Sequence, residues 1–273
     1  MSKKLVSAVL GISRRWLYKH VFPQKDKDNV LKEQVLSVLS DHPSYGHRRI
    51  ALTLGFGKKR VRRCMKQFGI HTYKRKGRWR KRRDERRAPA PFPNHIKGAC
   101  PIVPNHTWVS DFTYLKYRDR FLYLATVMDL YTREIVGWHI SEKHTTNLVL
   151  RALVDGIRNQ HLEKPRFIHS DQGVEYTSQD YVQATEKLGI QISLSKKASP
   201  WENGFQESFF NNFKTDLGLE FDRFNSPGEL IEAIHQTIYT YNTTRMHTTL
   251  KMPPHQFRQH SRRLESVRTE REA

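Results

Sequence analysis

Three consecutive segments with a β-strand composition place the strongest constraint on the fold of this chain. They read TWVSDFTYLKY, RFLYLATVMDLY and REIVGWHIS, and short polar turns separate them. Segments rich in β-branched and aromatic residues between such turns predict successive strands. The chain then predicts helix, strand, helix, strand and two last helices, over residues 145–160, 166–171, 178–188, 189–195, 200–217 and 227–240. The order βββαβαβαα predicts an α/β fold with a mixed five-stranded sheet and helices on its faces.

The excess positive charge is confined to the first part of the chain. The 273 residues include 48 Lys and Arg and 27 Asp and Glu, a net charge of +21. Residues 1–100 hold 27 basic and 6 acidic side chains, whereas residues 101–273 hold 21 of each. Because ordinary soluble surfaces mix both signs, this excess predicts a polyanionic partner, DNA or RNA. A merely solvated basic surface is the weaker interpretation.

Cysteine content and hydropathy exclude several classes of protein. The two cysteines, Cys64 and Cys100, are too few for a disulfide framework or a four-cysteine zinc site, and they fit a reducing compartment. No apolar run approaches the ~20 residues of a membrane span, and no signal-peptide pattern opens the chain. We therefore expect a soluble intracellular protein.

The basic first part predicts short helices of a DNA-binding type. Residues 5–20 predict two helices around a turn at Gly11, with Ser13 as the N-cap of the second, although a single capped surface helix is the alternative. Further helices are predicted over 30–40, after HPSYG, and over 58–68, where one face is apolar and basic residues cover the rest. Three short helices with one strongly basic member predict docking into the major groove of DNA.

Shifts of composition divide the chain further. The run KRKGRWRKRRDERR, which starts at Lys74, is too dense in charge to pack, although Trp79 could stack on a base. Three prolines at alternate positions then indicate a linker, and the α/β part starts near Pro101. We predict a helix-turn-helix-like segment, a helical DNA-binding domain, a basic linker, an α/β domain and a tail, over residues 1–28, 29–72, 73–100, 101–260 and 261–273.

Three acidic residues of the α/β domain have a spacing that points to one chemistry. Asp111 lies inside the first strand, Asp171 ends the fourth, and Glu207 lies in a helix, with 35 residues between the last two. Carboxylates from separate elements bind hard divalent cations, and two Mg²⁺ ions would suit phosphodiester chemistry. Asp111 could instead face solvent at a sheet edge, and Asp171, which precedes Gln172-Gly173, could belong to a turn. His169 shares a face with Asp171, either as a phosphate contact or as a satisfied polar neighbour.

The helix over 200–217 carries two glutamates with different explanations. Ser199, Pro200 and Glu202 match a capping box, so helix initiation explains Glu202. Capping does not explain Glu207, which belongs to a polar stripe of the helix. The stripe consists of Asn203, Glu207, Asn211 and Lys214, and the residues predicted to face the core are Phe205, Phe209, Phe210 and Phe213. A solvated helix face is the alternative.

Taken together, the motifs resemble a known family. They are LGIS, YGHRRI…KKRVRRCMKQFGI, TWVSDFTYL, VMDLYTREIVGW, HSDQGVEYTS, ENGFQESFFNNFK and YNTTRMHTTLKMPPHQF, in this order over nearly the whole chain. With the 35-residue gap, the chain resembles the transposases of bacterial insertion sequences, specifically the OrfB product of the insertion-sequence three family. That family often has Asp-Asn where this chain has Glu202-Asn203, which supports a non-catalytic Glu202.

The resemblance implies a ribonuclease H-like catalytic core in residues 101–260, similar to retroviral integrase, after a small all-α helix-turn-helix-like region. It implies that Asp111, Asp171 and Glu207 are the catalytic and metal-binding triad of a DDE transposase, with two Mg²⁺ ions, or Mn²⁺ in their place. One ion would activate water or a 3′-hydroxyl, and the other would stabilise the leaving 3′-oxygen. The reaction would be cleavage and strand transfer at the ends of an insertion sequence, through a circular intermediate.

The same resemblance implies the partners. The chain would bind double-stranded DNA, both terminal inverted repeats and target, as a homo-oligomer in the bacterial cytoplasm, at the nucleoid. An upstream frame usually adds a DNA-binding domain in such elements, so a fusion with its product is an open alternative. The candidate DNA contacts are Arg14, Arg15, Arg48, Arg49, Lys58, Lys59, Arg62, Arg63, Lys74, Arg75, Arg78, Arg80, Lys196, Lys197, Lys214 and Arg245. Arg245 has a structural latch as its alternative role.

Two other functions share this fold. A ribonuclease H-like nuclease or resolvase would keep the three acids but lack end-specific DNA binding. A repressor of transposition would bind DNA without activity. Since all three carboxylates are present, a transposase is the preferred interpretation.

Overall fold

The chain forms two compact units. The computed structural model describes residues 3–13, 24–72, 90–96, 102–195 and 204–272. Met1–Tyr73 is the N-terminal unit and Lys74–Ala273 is the C-terminal unit. Within the described ranges, none of the helices combines the length and the apolar character that a membrane crossing requires.

The N-terminal unit is helical in its described residues. Its helices are α1 Lys3–Val9, α2 Gln24–Asp41, α3 His47–Leu54 and α4 Lys58–Gln67. The helices predicted over 30–40 and 58–68 are confirmed, and α2 starts several residues earlier than predicted. The first helix predicted within 5–20 corresponds to α1, whereas most of the second falls outside the described residues.

Three of these helices pack around one small core. Leu31 and Val35 of α2, Ile50 of α3 and Val61 of α4 are buried there. Gly55 ends α3 in a left-handed conformation, which glycine adopts without strain, and α4 starts three residues later. A short glycine turn of this kind commonly joins the two helices of a helix-turn-helix.

The C-terminal unit is built on a mixed five-stranded sheet. Its strands are β1 Thr107–Tyr117, β2 Arg120–Asp129, β3 Ile135–Ser141, β4 Phe167–Ser170 and β5 Gln191–Leu194. They are arranged in the order β3-β2-β1-β4-β5. The first three strands are antiparallel, and β4 and β5 run parallel to β1. The predicted α/β class with a mixed five-stranded sheet is confirmed, and β1 is its central strand.

Helices cover both faces of the sheet. They are α5 Thr146–Asn159, α6 Val174–Thr177, α7 Gln179–Lys187, α8 Gly204–Asp216, α9 Pro227–Thr243 and α10 Pro254–Glu272, with a 3-10 turn at Phe221–Arg223. Residues of α5 and α7 pack with Trp108 and Ile168 on one face. Residues of α8 and α9 pack with Leu115 and Leu124 on the other. The C-terminal unit therefore has a separate apolar core on each side of the sheet.

Part of the predicted linker lies against the sheet. The N–H of Leu194 donates a hydrogen bond to the carbonyl of Pro93, at 3.3 Å, and Phe92 packs on the core beneath α5 and α7. The edge strand β5 offers unpaired backbone groups and Phe92 offers an apolar side chain. Both reasons favour contact over a free linker for residues 90–96.

The helix α10 was not predicted. It runs without interruption through residue 261, where the predicted tail begins. Its side chains anchor it, because Arg258 and His255 lie 2.8 and 2.9 Å from the carboxylate of Glu134. Glu134 is buried, so the pairing satisfies a charge that would otherwise be costly there.

Candidate active site

Asp111 lies part-buried on the central strand of the sheet. On one side β1 pairs with β2, and on the other side Val109 pairs with His169 of β4. Asp111 and Asp171 each come two residues after that pair, so they share one face of the sheet where β4 has ended. The alternative of an edge position for Asp111 is therefore wrong. Ligands of open α/β sheets commonly bind at such carboxyl ends of strands.

Glu207 approaches this region from a third element. It lies exposed in the first turn of α8, whose three phenylalanines at 209, 210 and 213 are buried on the sheet as predicted. Burial and the charge of Asp171 raise the pKa of Asp111, and the charge of Glu207 adds to this. The N–H of Phe112, which donates to the Asp111 carboxylate at 2.8 Å, acts in the opposite direction. The balance raises the pKa of Asp111 to about 7.

We call Asp111, Asp171 and Glu207 the carboxylate triad. Their charges influence one another, but the three side chains do not form a closed set of metal ligands. Among the described residues, no three His, Cys, Asp or Glu side chains lie close enough together to hold one metal ion. The carboxylate of Asp171 accepts a hydrogen bond from the N–H of Gly173, at 2.9 Å, and mutual repulsion opposes a closer approach of the three acids. The donor chemistry nevertheless fits a hard divalent cation, which binds oxygen ligands and would offset the like charges around Asp111.

A fourth acid, missed in the sequence, lies beside Asp171. Glu175 of α6 is 6% exposed, and Nδ1 of His144 lies 3.0 Å from its carboxylate. Loss of surrounding water raises the pKa of Asp171, the hydrogen bond from Gly173 lowers it, and the charge of Glu175 raises it. The only sequence signal was the place of Glu175 four residues after Asp171, and this does not reveal that its side chain is buried.

The first turn of α8 meets the sheet through a residue that was not predicted. Phe205, assigned to the core, is 42% exposed, and the guanidinium of Arg133 lies 3.8 Å from the centre of its ring. Gln206 is instead fully buried and bonded to β1 and β2. The physical reason is that polar groups of both strands lie under this end of the helix, and an amide satisfies them whereas a phenyl ring does not.

Two predicted polar contacts prove to be structural. Arg245 is 3% exposed, and its Nε donates to the carboxylate of Asp216 at 2.9 Å. The prediction that Arg245 contacts DNA is therefore wrong, and its alternative role as a latch is supported. His169 is also fully buried, with Nδ1 2.9 Å from Oγ of Ser193. This supports a satisfied polar neighbour over a phosphate contact.

Lys214 lies at the surface between α8 and β1. Its ammonium donates to the carbonyl of Tyr114 at 2.9 Å, and lies 5.0 Å from the centre of the tyrosine ring. Tyr114 is itself exposed. The predicted DNA contact of Lys214 stays a prediction.

Six of the predicted DNA contacts lie in the described part of the N-terminal unit. Five are exposed, and these are Arg48 of α3 and Lys58, Lys59, Arg62 and Arg63 of α4. Two have protein contacts, because Arg63 donates to the buried Asp28 at 2.9 Å and the guanidinium of Arg49 lies 5.9 Å from the centre of the Tyr45 ring. The exposed face of α4 lies opposite its buried residues, which is the arrangement expected of a groove-binding helix.

The remaining predicted site residues lie outside the described part of the chain. They are Arg14, Arg15, Lys74, Arg75, Arg78, Arg80, Lys196 and Lys197, together with Trp79 and the capping residues Ser199, Pro200 and Glu202. Their roles stay predictions.

Comparison with known proteins identifies the family. Two integrase core domain families match residues 103–200 and 188–254. The chain is 31% identical over 236 residues to the transposase for insertion sequence element IS904 of Lactococcus lactis. That alignment covers 83% of this chain and 92% of the relative. The chain is also 31% identical over 264 residues to an uncharacterized 31 kDa protein of insertion element IS600 from Shigella sonnei, covering 92% and 96% of the two chains.

The chain belongs to the insertion-sequence three family of transposases. Membership makes this transposase a DDE polynucleotidyl transferase with an integrase core, as its motifs predicted. It favours transposition over the nuclease, resolvase and repressor alternatives.

A solved structure supports the fold of this transposase. A chain in the simian T-cell lymphotropic virus intasome, in complex with PP2A regulatory subunit B56 gamma, superposes with a TM-score of 0.53 at 23% identity. The match covers 77% of this chain and 70% of that one. The predicted ribonuclease H-like fold is therefore confirmed.

Proposed function

We propose that Asp111, Asp171 and Glu207 are the catalytic carboxylates of this transposase and bind two divalent metal ions, Mg²⁺ or Mn²⁺. The observation that carries this proposal is the environment of Asp111. Its pKa is raised to about 7 by burial and by the charges of the other two acids, which come from two different elements. Perturbed carboxylates gathered at the end of a sheet are typical of functional sites.

The protein supplies positions and charges for this reaction. Asp111 is held by the central strand, Asp171 by the turn after β4, and Glu207 by a helix packed on the same face. When bound, the two ions would activate the attacking hydroxyl and stabilise the departing 3′-oxygen of an in-line displacement at phosphorus. The carboxylates then need only be ionised and oriented, so no covalent protein intermediate is required.

The DNA substrate follows from charge. The exposed basic side chains on α3 and α4, with Lys214 beside β1, would hold phosphates of the terminal inverted repeats and the target. Two ends must be held together for transposition, so we expect a homo-oligomer on DNA. An upstream-frame fusion and action at the nucleoid of the bacterial cytoplasm are further expectations of the same proposal.

A strand-joining assay with terminal-repeat DNA and Mg²⁺ tests the triad. We expect Asp111→Asn, Asp171→Asn and Glu207→Gln each to lower the joining rate by about 100-fold or more, because each removes an ionised metal ligand. DNA binding, measured by fluorescence anisotropy with the same DNA, should stay within about twofold of wild type, because the basic residues carry the affinity.

Matched control variants come from the same unit. Asp180 of α7 and Glu232 of α9 are exposed acids, and the same amide substitutions there should leave the joining rate unchanged. Undiminished joining by any of the three triad variants would refute the assignment of that residue.

A further inference from the structure

We propose that Gln206 is a positioning residue that fixes Glu207 at the level of Asp111 and so sets how tightly the carboxylate triad binds metal. This inference rests on the proposed role of Glu207 as a ligand. Gln206 itself would touch neither the metal nor the DNA. It acts through the helix that carries its neighbour.

The amide of Gln206 is bonded on both of its sides. Its Nε2 donates to the carbonyl of Val109 at 2.7 Å, and more weakly to the carbonyl of Thr126 at 3.4 Å. Its Oε1 accepts a hydrogen bond from the hydroxyl of Thr126 at 3.0 Å. Gln206 and Thr126 are both fully buried. Hydrogen bonds enclosed in this way are strong and directional, because water does not compete for them.

Both anchors of the amide flank Asp111. Thr126 is the residue of β2 that pairs directly with Asp111. Val109 lies two residues before Asp111 on β1, and the alternation of side chains puts both on the same face of the sheet. The clamp therefore ties the first turn of α8 to the two strand positions that define where the Asp111 carboxylate lies.

Glu207 depends on this clamp for its position. Its own side chain is exposed, so packing does not hold it, and the next buried contact of the helix is Phe209. Successive residues of an α-helix differ by a fixed rotation, with 3.6 residues per turn. A fixed Gln206 therefore fixes the direction in which Glu207 leaves the helix.

Packing alone does not require an amide at this position. The phenylalanines of α8 already attach the helix to the sheet, and an apolar residue at 206 would add to that core without any need for exact partners. A buried amide with matched donors and acceptors instead specifies one register of helix and strands. This is the property that a three-element metal site needs.

The test compares Gln206→Leu with a matched control. Asn242 of α9 makes a similar clamp elsewhere, because its amide accepts from the N–H and donates to the carbonyl of Ile135, each at 2.9 Å. Asn242→Leu removes that clamp, which ties α9 to β3 and not α8 to β1 and β2. Thr126→Val is a milder variant that removes only the hydroxyl donor to Gln206 and keeps the shape of the side chain.

Three quantities separate positioning from general stability. They are the Kd for Mn²⁺ by titration calorimetry, the Mg²⁺ concentration for half-maximal strand joining, and the Tm. We expect Gln206→Leu to raise the Kd for Mn²⁺ and the half-maximal Mg²⁺ concentration, the two metal values, by about 10- to 100-fold, as for other residues that orient metal ligands. Thr126→Val should raise both by about 10-fold. Asn242→Leu should lower the Tm but leave both metal values within about twofold of wild type.

Each opposite result overturns the inference. Wild-type metal values in Thr126→Val, or in a folded Gln206→Leu, would show that the amide does not position the site. An equal loss of affinity in Asn242→Leu would show that any loosening of the unit has the same effect. Full joining by Glu207→Gln would refute the proposed function itself, and that variant is measured separately.

Discussion

At the scale of single residues, the position of Asp111 that suits the proposed metal site also destabilises the folded protein. Asp111 lies on the central strand, where burial and two neighbouring carboxylates disfavour its charged form. Natural proteins tolerate such costs mainly at functional sites. We therefore expect the charge of Asp111 to serve a ligand and not the fold.

This cost predicts how the stability of the metal-free protein depends on pH. The pKa of Asp111 is about 7 in the folded state, against 3.8 for the ordinary group. Between these values the folded protein keeps a proton that the unfolded chain has lost, so stability is present below pH 3.8 and is lost as pH rises towards 7. Asp111→Asn removes this loss.

We compare the free energy of unfolding of Asp111→Asn with that of wild type. The difference in favour of the variant should grow by about 1 to 3 kcal/mol between pH 5 and pH 8. Urea denaturation in EDTA at the two pH values measures it. Asp180→Asn, an exposed acid of the same unit, is the control and should show no such growth. An advantage that stays constant with pH would contradict the assigned environment of Asp111.

At the scale of elements, close contact between β3 and α5 fixes the face of the sheet opposite the triad. A Cβ at Gly137 would lie 2.2 Å from the carbonyl oxygen of Ala152 and 2.4 Å from the backbone nitrogen of Gly156. No side-chain rotation relieves a clash with backbone atoms. The strand and the helix approach this closely only because Gly137 carries no side chain.

We therefore expect Gly137→Ala to lower the free energy of unfolding by about 3 kcal/mol, because backbone must move apart to admit one methyl group. Gly204 is the control within the same unit, since its Cβ would meet open space and Gly204→Ala should change the value by less than about 0.5 kcal/mol. Guanidinium denaturation measures both. A shift as small as that of the control would disprove the close contact.

The strands could be predicted because their pattern is local. Alternation and turn chemistry defined β1, and its bounds agree with TWVSDFTYLKY. The buried face of α8 was harder to predict, because two sets of residues satisfy helical spacing. One set is 205, 209 and 213, and the other is 206, 209 and 213. Only the polar groups under the first turn of α8 decide between Phe205 and Gln206, and these come from strands about 80 to 100 positions away.

At the scale of the whole molecule, charge and chemistry are divided along the chain. All of the excess positive charge lies in residues 1–100, and the carboxylate triad lies in a segment without net charge. The sequence shows this division directly, because composition does not depend on tertiary contacts, and motif order led to the triad, which stays a prediction. It did not predict the Glu175 pair with His144 or the burial of Arg245, since both depend on which elements meet.

A crystal structure with Mn²⁺, with anomalous difference density recorded at the manganese edge, tests the central claim most directly. We expect manganese within about 2.2 Å of carboxylate oxygens from Asp111, Asp171 and Glu207, with the three side chains drawn closer together than repulsion otherwise allows. The same experiment on Glu207→Gln should lose or displace that density. Manganese bound elsewhere, or none at a saturating concentration, would contradict the assignment of the triad as the metal site.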